Sequence, residues 1–327
     1  MTSDLVASAP GKLILTGEYA VLDGAPALVL AVDRRAIASR RSTPRGSSPF
    51  LIAVADELAE RYGTDSVAAR AALEVVVDSS AFYDGSQKLG LGSSAAVTVA
   101  AAAYAIAAQH GDARGHRDAL LAIALAAHAR AQGERGARGS GADIAAAIYG
   151  GAIIYEMATT GAPAIKRASW PRSVTLIPFF TGVSADTATL VSRVQAARQA
   201  NPVAVEAALT AIAEASRATC AALHTHADLA AIGVLAGLRL ASVATDRLAR
   251  VTGVDLVPSC VATARTSMQA LGGTAKTTGA GGGDVAIAAI PTTSDVTEAT
   301  RLLIEQGCQP LQLSVDDSGV DTRPVAQ

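Results

Sequence analysis

The amino-acid sequence predicts an α+β chain of two units, on three observations. Its 327 residues exceed the ~100–200 of a typical single domain. Apolar residues make up 50% and charged residues 17%, which supplies sizeable cores and excludes a disordered chain. The start is rich in short β-type runs, and the second half orders its elements as β-α-β-β-α-β, the ferredoxin-like sequence.

The elements follow in chain order. Runs 13–16, 27–32 and 36–39 are bounded by Gly, Pro and Asp-Gly turns and read as strands. A polar segment, 40–49, precedes a helix expected at 50–62, and 73–77 reads as a strand. An irregular stretch then opens into a helix from Ser94 to Gln109. Helices at 116–131 and 142–149 flank the loop QGERGARGSG, and GGAIIYEM closes this half as a strand. The character of the chain changes near Ser169 to Arg172, which places a domain boundary there and gives units 1–171 and 172–327. The second unit begins with strand VTLIPFF, continues through a helical block (185–252) and adds a helix at 258–271. Strands flanking a glycine loop (273–290), a helix (295–306) and a last strand (310–315) complete it. No fixed-period repeat is present.

Composition narrows the function. A net charge of -2 excludes a basic nucleic-acid domain, and 3% aromatics leave no stacking platform for bases. Cys220, Cys260 and Cys308 are widely spaced and form no CxxC, so neither a disulfide framework nor a zinc knuckle is expected. The N-terminus has no basic n-region, and Lys12 and Glu18 interrupt its apolar stretch, unlike a signal peptide. The longest uncharged run, 89–109, is Ala-, Gly- and Ser-rich and reads as a buried helix, not a membrane span. A cytoplasmic protein with no nucleic-acid or membrane partner is the expectation.

The lysines point to chemistry. Of 27 basic residues only Lys12, Lys88, Lys166 and Lys276 are lysines, and all but Lys166 lie beside glycine-rich segments. A lysine offers a compact point charge on a flexible stem, suited to phosphate. The strongest local signal is KLGLGSSA (88–95) running straight into a helix. Glycines let the backbone approach an anion, a helix N-terminus supplies free N–H groups, and Ser93 and Ser94 add hydroxyls for phosphate or magnesium. The string also matches GxGxxA, but the strand lies too far upstream and Asp112 ends a helix, against a dinucleotide fold. Gly11-Lys12 lacks the upstream Gly and following Ser or Thr of a Walker loop.

Two further segments carry the same theme. TTGAGGGD (277–284) holds three consecutive glycines, which cost entropy and are expected to contact a ligand through their backbone. Asp143, after RGARGSGA, stands at the entry to a short helix, where it either caps the helix or serves a substrate hydroxyl or a metal–phosphate complex. Glu134 is a candidate magnesium ligand. His224 and His226 lie two apart in a helical segment and face apart, which argues against a metal site.

Together APGKLILTGEYAVL (9–22), GLGSSAA (90–96) and KTTGAGGGD (276–284) resemble, in order, the three motif blocks of the GHMP kinase superfamily. Within it the strings GKLILTGEYAVLDG, GSGADIAAAIYGG and FFTGVSADTATLVSRV look most like phosphomevalonate kinases. Ile144 stands where mevalonate kinases usually carry Asn. The resemblance implies a ribosomal-S5-like N-terminal domain and a ferredoxin-like C-terminal domain, with ATP·Mg2+ and substrate in the cleft between them. It implies γ-phosphoryl transfer from ATP to (R)-5-phosphomevalonate, in a monomer or homodimer. Lys12, Lys88 and Asp143 would be catalytic, and Gly90, Leu91, Gly92, Ser93, Ser94 and Ala95 would cradle the nucleotide. Ser140, Arg138, Ser184, Lys276, Gly279, Ala280, Gly281 and Gly282 would contact substrate, and Ser94 and Glu134 the metal. Mevalonate kinase or another small-alcohol kinase on the same fold, and a non-catalytic ATP sensor, are the alternatives.

Overall fold

The computed structural model describes residues 5–40, 48–133 and 139–324. Strands β1 (Leu5–Thr16) and β2 (Ala27–Arg40) start the chain, followed by α1 (Pro49–Tyr62), α2 (Val67–Glu74) and β3 (Val75–Asp78). The short hairpin β4 (Tyr83–Asp84) and β5 (Gln87–Lys88) leads into α3 (Ser93–His110), α4 (Arg117–Gly133) and α5 (Ala142–Tyr149). Strands β6 (Ala152–Glu156) and β7 (Ala164–Ala168) end the first half. The second half runs β8 (Val174–Phe180), α6 (Thr187–Ala200), α7 (Pro202–Ala222), α8 (Ala227–Thr252), α9 (Ser259–Ala270), β9 (Thr274–Thr277) and β10 (Val285–Pro291). It closes with α10 (Val296–Glu305), β11 (Gln309–Pro310) and β12 (Asp321–Pro324).

The first sheet has the order β12-β1-β2-β6-β7, with β3 added on β2. The runs expected as separate strands at 27–32 and 36–39 are one continuous β2, paired along its length with β1. The register slips between Pro10 and Gly11 and again between Ile14 and Thr16. Such bulges bend a strand and re-aim its side chains. Leu13 and Leu15 point into the core from one face, and half-buried Lys12 and Ile14 lie on the opposite face.

Helix α3 packs on this sheet and is apolar all round, which is the signature of a central helix. Alanine allows it, since it favours the helix and lets backbones approach closely. The expected strand at 73–77 begins only at Val75, because the Ser66 hydroxyl accepts from Ala69 N–H and caps α2 before it. The helical block 185–252 resolves into three helices, with Pro202 starting α7 where its missing N–H costs nothing. Helix α8 is long and apolar enough to cross a membrane, yet 56% of that window is buried within the protein.

The second sheet has the order β11-β8-β10-β9, which is the ferredoxin-like 4-1-3-2 arrangement of its own strands. Its fourth strand is shorter than the expected 310–315 and pairs with β8 only through Gln309 and Pro310. Strand β12 then leaves this sheet and pairs antiparallel with β1, Leu5 opposite Pro324. The end of the chain therefore lies with the first sheet, against its expected place in a 172–327 unit. The two halves are also stitched at the end of β1, where the Thr16 and Ser216 hydroxyls meet at 2.9 Å and Ser216 donates to the Pro26 carbonyl.

Candidate active site

Lys12 is the centre of the site. Its backbone N–H donates to the Leu91 carbonyl at 2.8 Å, which fastens β1 to the 90–92 loop. Gly11 must be glycine for this approach, because a Cβ would lie 2.7 Å from that same carbonyl. The Lys12 stem crosses Gly92, where a Cβ would stand 3.0 Å from its Cγ and Cε. The Lys12 Nζ then reaches to within 3.9 Å of where a Cβ on Gly279 would be. One side chain thus spans from the first glycine loop to the second.

Burial lowers the pKa of the Lys12 amine below its ordinary value, Asp143 and Asp284 oppose that shift, and Lys88 adds to it. Asp284 ends the second glycine loop with a positive φ of 55°, and its Oδ1 accepts from Ala185 N–H at 3.2 Å. Its carboxyl group lies directly against Gly90, where any side chain would collide with it. Burial raises the Asp284 pKa, while the Ala185 N–H and the two lysines hold it down. Lys88 stands exposed on the hairpin, Asp143 half-buried in the first turn of α5, and Ser184 exposed in the loop bonded to Asp284.

Two helices aim their N-termini here. Helices α3 and α5 are both N-capped by a left-handed glycine, Gly92 and Gly141, and neither has a side-chain cap. Helices α2, α6 and α10 are capped by Ser66, Asp186 and Asp295, while α1, α7 and α9 also lack a side-chain cap, so the left-handed glycine is what sets α3 and α5 apart from them. In α5 the Ala142 and Ile144 N–H groups are taken by the Ser140 and Asp143 side chains, whereas the uncapped first turn of α3, with the positive end of its dipole, has the elements of an anion site. Ser93 and Ala95 are buried and Ser94 half-buried in that first turn, and the Leu91 side chain packs in the core, leaving this residue only its backbone to offer. Near α5, Ser140 accepts at its hydroxyl from Ala142 N–H and at its carbonyl from Tyr155, whose phenol is pushed up to about 12 by burial and by Asp143.

Known proteins resemble this chain along most of its length. Residues 49–151 match the GHMP kinases N terminal domain family. A phosphomevalonate kinase of Streptomyces sp. (strain CL190) is 29% identical over 97% of this chain and 98% of its own. A mevalonate kinase of Aeropyrum pernix is 33% identical, over 58% of this chain and 60% of its own. The crystallised Streptococcus pneumoniae phosphomevalonate kinase, bound to phosphomevalonate and AMPPNP, superposes with a TM-score of 0.71 at 17% identity, covering 95% of this chain and 99% of that one. The chain carries a GHMP kinase N-terminal domain over residues 49–151. It is a phosphotransferase.

Not every expected site residue of this kinase sits at the cluster. Lys276, expected to meet substrate, is 1% exposed and its ammonium is spent on the Glu18 carboxylate and the Thr277 carbonyl. The 281–283 glycines, expected to contact a ligand through their backbone, are packed closely against protein. A Cβ at Gly281 would lie 2.5 Å from the Leu256 carbonyl, at Gly282 2.8 Å from Leu190, and at Gly283 2.6 Å from the Val183 carbonyl. The Ala280 carbonyl accepts from Tyr19. Glu134 and Arg138 lie outside the described residues.

Three residues escaped the sequence reading. Asp284 closes a motif that was read only for its glycines. Glu18 lies in the first motif but faces the second sheet. His128, buried in α4, brings Nε2 to 3.2 Å from the Ser94 hydroxyl and stacks its ring on Phe50. A lone imidazole in an alanine-rich helix carries no sequence signal that separates it from a core histidine.

Proposed function

We propose that this kinase transfers the γ-phosphoryl group of ATP to the phosphate of (R)-5-phosphomevalonate, giving 5-diphosphomevalonate and ADP. The observation that carries the reading is the Lys12 amine reaching from the uncapped N-terminus of α3 to the Gly279 loop, between Asp143 and Asp284. The choice of acceptor is supported by the end-to-end match to a phosphomevalonate kinase, against partial matches to mevalonate kinases.

The chemistry suits such a site. A phosphate monoester has its second pKa near 6, so at neutral pH it is mostly a dianion and needs no strong base. The obstacle is bringing two anions into line, which makes positive charge and positioning the main catalytic resources. Lys12 would bridge the donor γ-phosphate and the acceptor phosphate, and Lys88 would neutralise the phosphates nearby. The 90–95 backbone and the first turn of α3 would cradle the triphosphate. Asp143 would hold the Lys12 ammonium in place, with Ser140 and Ser184 contacting the acceptor.

Magnesium fits the donor set. Mg2+ usually takes one or two protein oxygens and completes its shell with phosphates and water, so no dense cluster is needed. Among the described residues no group of three or more His, Cys, Asp or Glu is gathered for a metal. The Ser94 hydroxyl, steadied by His128, and Glu134 would hold the ion, which would neutralise charge on the triphosphate when bound.

Coupled ADP release tests the reading, with Mg·ATP and, separately, phosphomevalonate, mevalonate, homoserine and galactose. Turnover with phosphomevalonate alone is expected. Preference for mevalonate would move the enzyme to the alcohol kinases and give Asp143 the role of base. ATP binding without turnover on any acceptor would contradict the kinase reading and favour a sensor.

A further inference from the structure

The chain leaves β1 through Gly17-Glu18-Tyr19, and this turn is strained. Tyr19 has φ 61° and ψ −51°, closed by Ala20 N–H donating to the Glu18 carbonyl at 2.6 Å. That is a γ-turn of the rare positive-φ kind, which is strained for a bulky residue. Gly17 makes the turn possible at φ 89°, since a Cβ there would strike the Pro26 carbonyl. Strain of this kind persists only where surrounding contacts hold it.

Val21 N–H donates to the Gly17 carbonyl at 2.9 Å and Leu22 N–H to the Tyr19 carbonyl at 3.0 Å, while the side chains of Glu18 and Tyr19 reach to the second sheet and its glycine loop. The Glu18 carboxylate pairs with the Lys276 ammonium on β9, both buried, while Lys276 also donates to the Thr277 carbonyl at 2.6 Å. The Tyr19 hydroxyl donates to the Ala280 carbonyl at 2.6 Å. These bonds reach across 258 and 261 residues of sequence and grip both ends of the segment 276–280. Gly279, inside that segment, is the residue that faces the Lys12 Nζ.

A buried ion pair is poor evidence for stability, because well-packed apolar residues often serve a fold as well or better. This pair also leaves the Glu18 Oε2 with no hydrogen-bond partner among the described residues. A strained turn, a buried charge pair and an unsatisfied oxygen converge on one loop. We propose that the Gly17–Tyr19 turn is a latch that fixes the 278–283 glycine loop beside the Lys12 amine. Glu18, Tyr19 and Lys276 are then positioning residues for phosphoryl transfer. This rests on the kinase reading above, so the test includes a readout that needs no acceptor.

Tyr19→Phe keeps the ring and removes only the bond to Ala280. Hydrogen exchange on the free protein reads the Gly281 and Gly282 amides, which donate to Thr278 and Leu256. Their exchange is expected to quicken about tenfold, in line with loss of one hydrogen bond, while α3 amides stay as in wild type. The same variant is expected to lower kcat about tenfold with Tm nearly unchanged. The second variant is Glu18→Gln/Lys276→Met, which removes both charges and leaves none buried alone. It is expected to keep a near-wild-type Tm while kcat stays low. Unchanged loop exchange in Tyr19→Phe, or full activity in a stable double variant, would overturn the latch. Absence of turnover by wild type would instead strike the kinase reading and leave the exchange result to judge the latch alone.

Discussion

The two glycine loops look alike in sequence and do different physical work. In the first, Gly92 lets the Lys12 stem lie across the backbone and leaves the first turn of α3 without a side-chain cap. In the second, Gly281, Gly282 and Gly283 are pressed against Leu256, Leu190 and Val183. Only Gly279 of that loop faces the Lys12 amine. Glycine richness by itself therefore does not mark a phosphate cradle. The distinguishing feature is what stands where the Cβ would be: a cationic side chain and an open helix end, or a neighbouring carbonyl.

Substitutions to alanine separate these roles. The largest effect is expected at Gly90→Ala, where φ is 72° and the new methyl would collide with the Asp284 carboxyl group. Backbone strain and the clash together should cost about 3 kcal/mol of stability, and displacing Asp284 should abolish most turnover. Thermal melts and kcat on the same sample check both. Gly281→Ala should cost a comparable or slightly smaller ~2–3 kcal/mol in melts, from positive φ and the Leu256 carbonyl, with residual activity following the folded fraction.

Gly92→Ala sharpens the contrast from the other side. Its neighbour is a flexible lysine stem, so about 1–2 kcal/mol of stability is expected to go, chiefly through φ 78°. The affinity for an ATP analogue should fall more than at Gly281→Ala, as calorimetric titration would show. Equal loss at both positions would erase the distinction between the loops. Gly85→Ala, in the hairpin with open space around it and φ 58°, is the control. It should cost only about 1 kcal/mol and leave nucleotide affinity alone.

The same contrast explains how far the sequence could be read. Helices α3 and α5 were legible because local signals agree (glycine, then a serine or acid, then an apolar run), and β8 because VTLIPFF is rich in β-branched and aromatic residues. Helix α2 was hidden because it is only eight residues long and runs directly into Val75 to Val77, which read as strand. Strand β12 was hidden because its place is set by the open edge of β1 far upstream. Lys276 misled for a related reason. Its neighbours in sequence are site glycines, but its partner in space is Glu18, and no local pattern reveals a pair 258 residues apart.

Lys12 is where the account is most exposed, and rapid-quench measurement of phosphoryl transfer in wild type and Lys12→Met tests it most directly. With ATP and phosphomevalonate both saturating, the variant is expected to transfer about 100- to 1000-fold more slowly, as befits loss of a charge that acts on the transition state. Its Tm should stay close to wild type, because methionine keeps an unbranched stem to lie across Gly92. A Lys12→Met enzyme that transfers phosphate at near the wild-type rate would contradict the central role given to this amine.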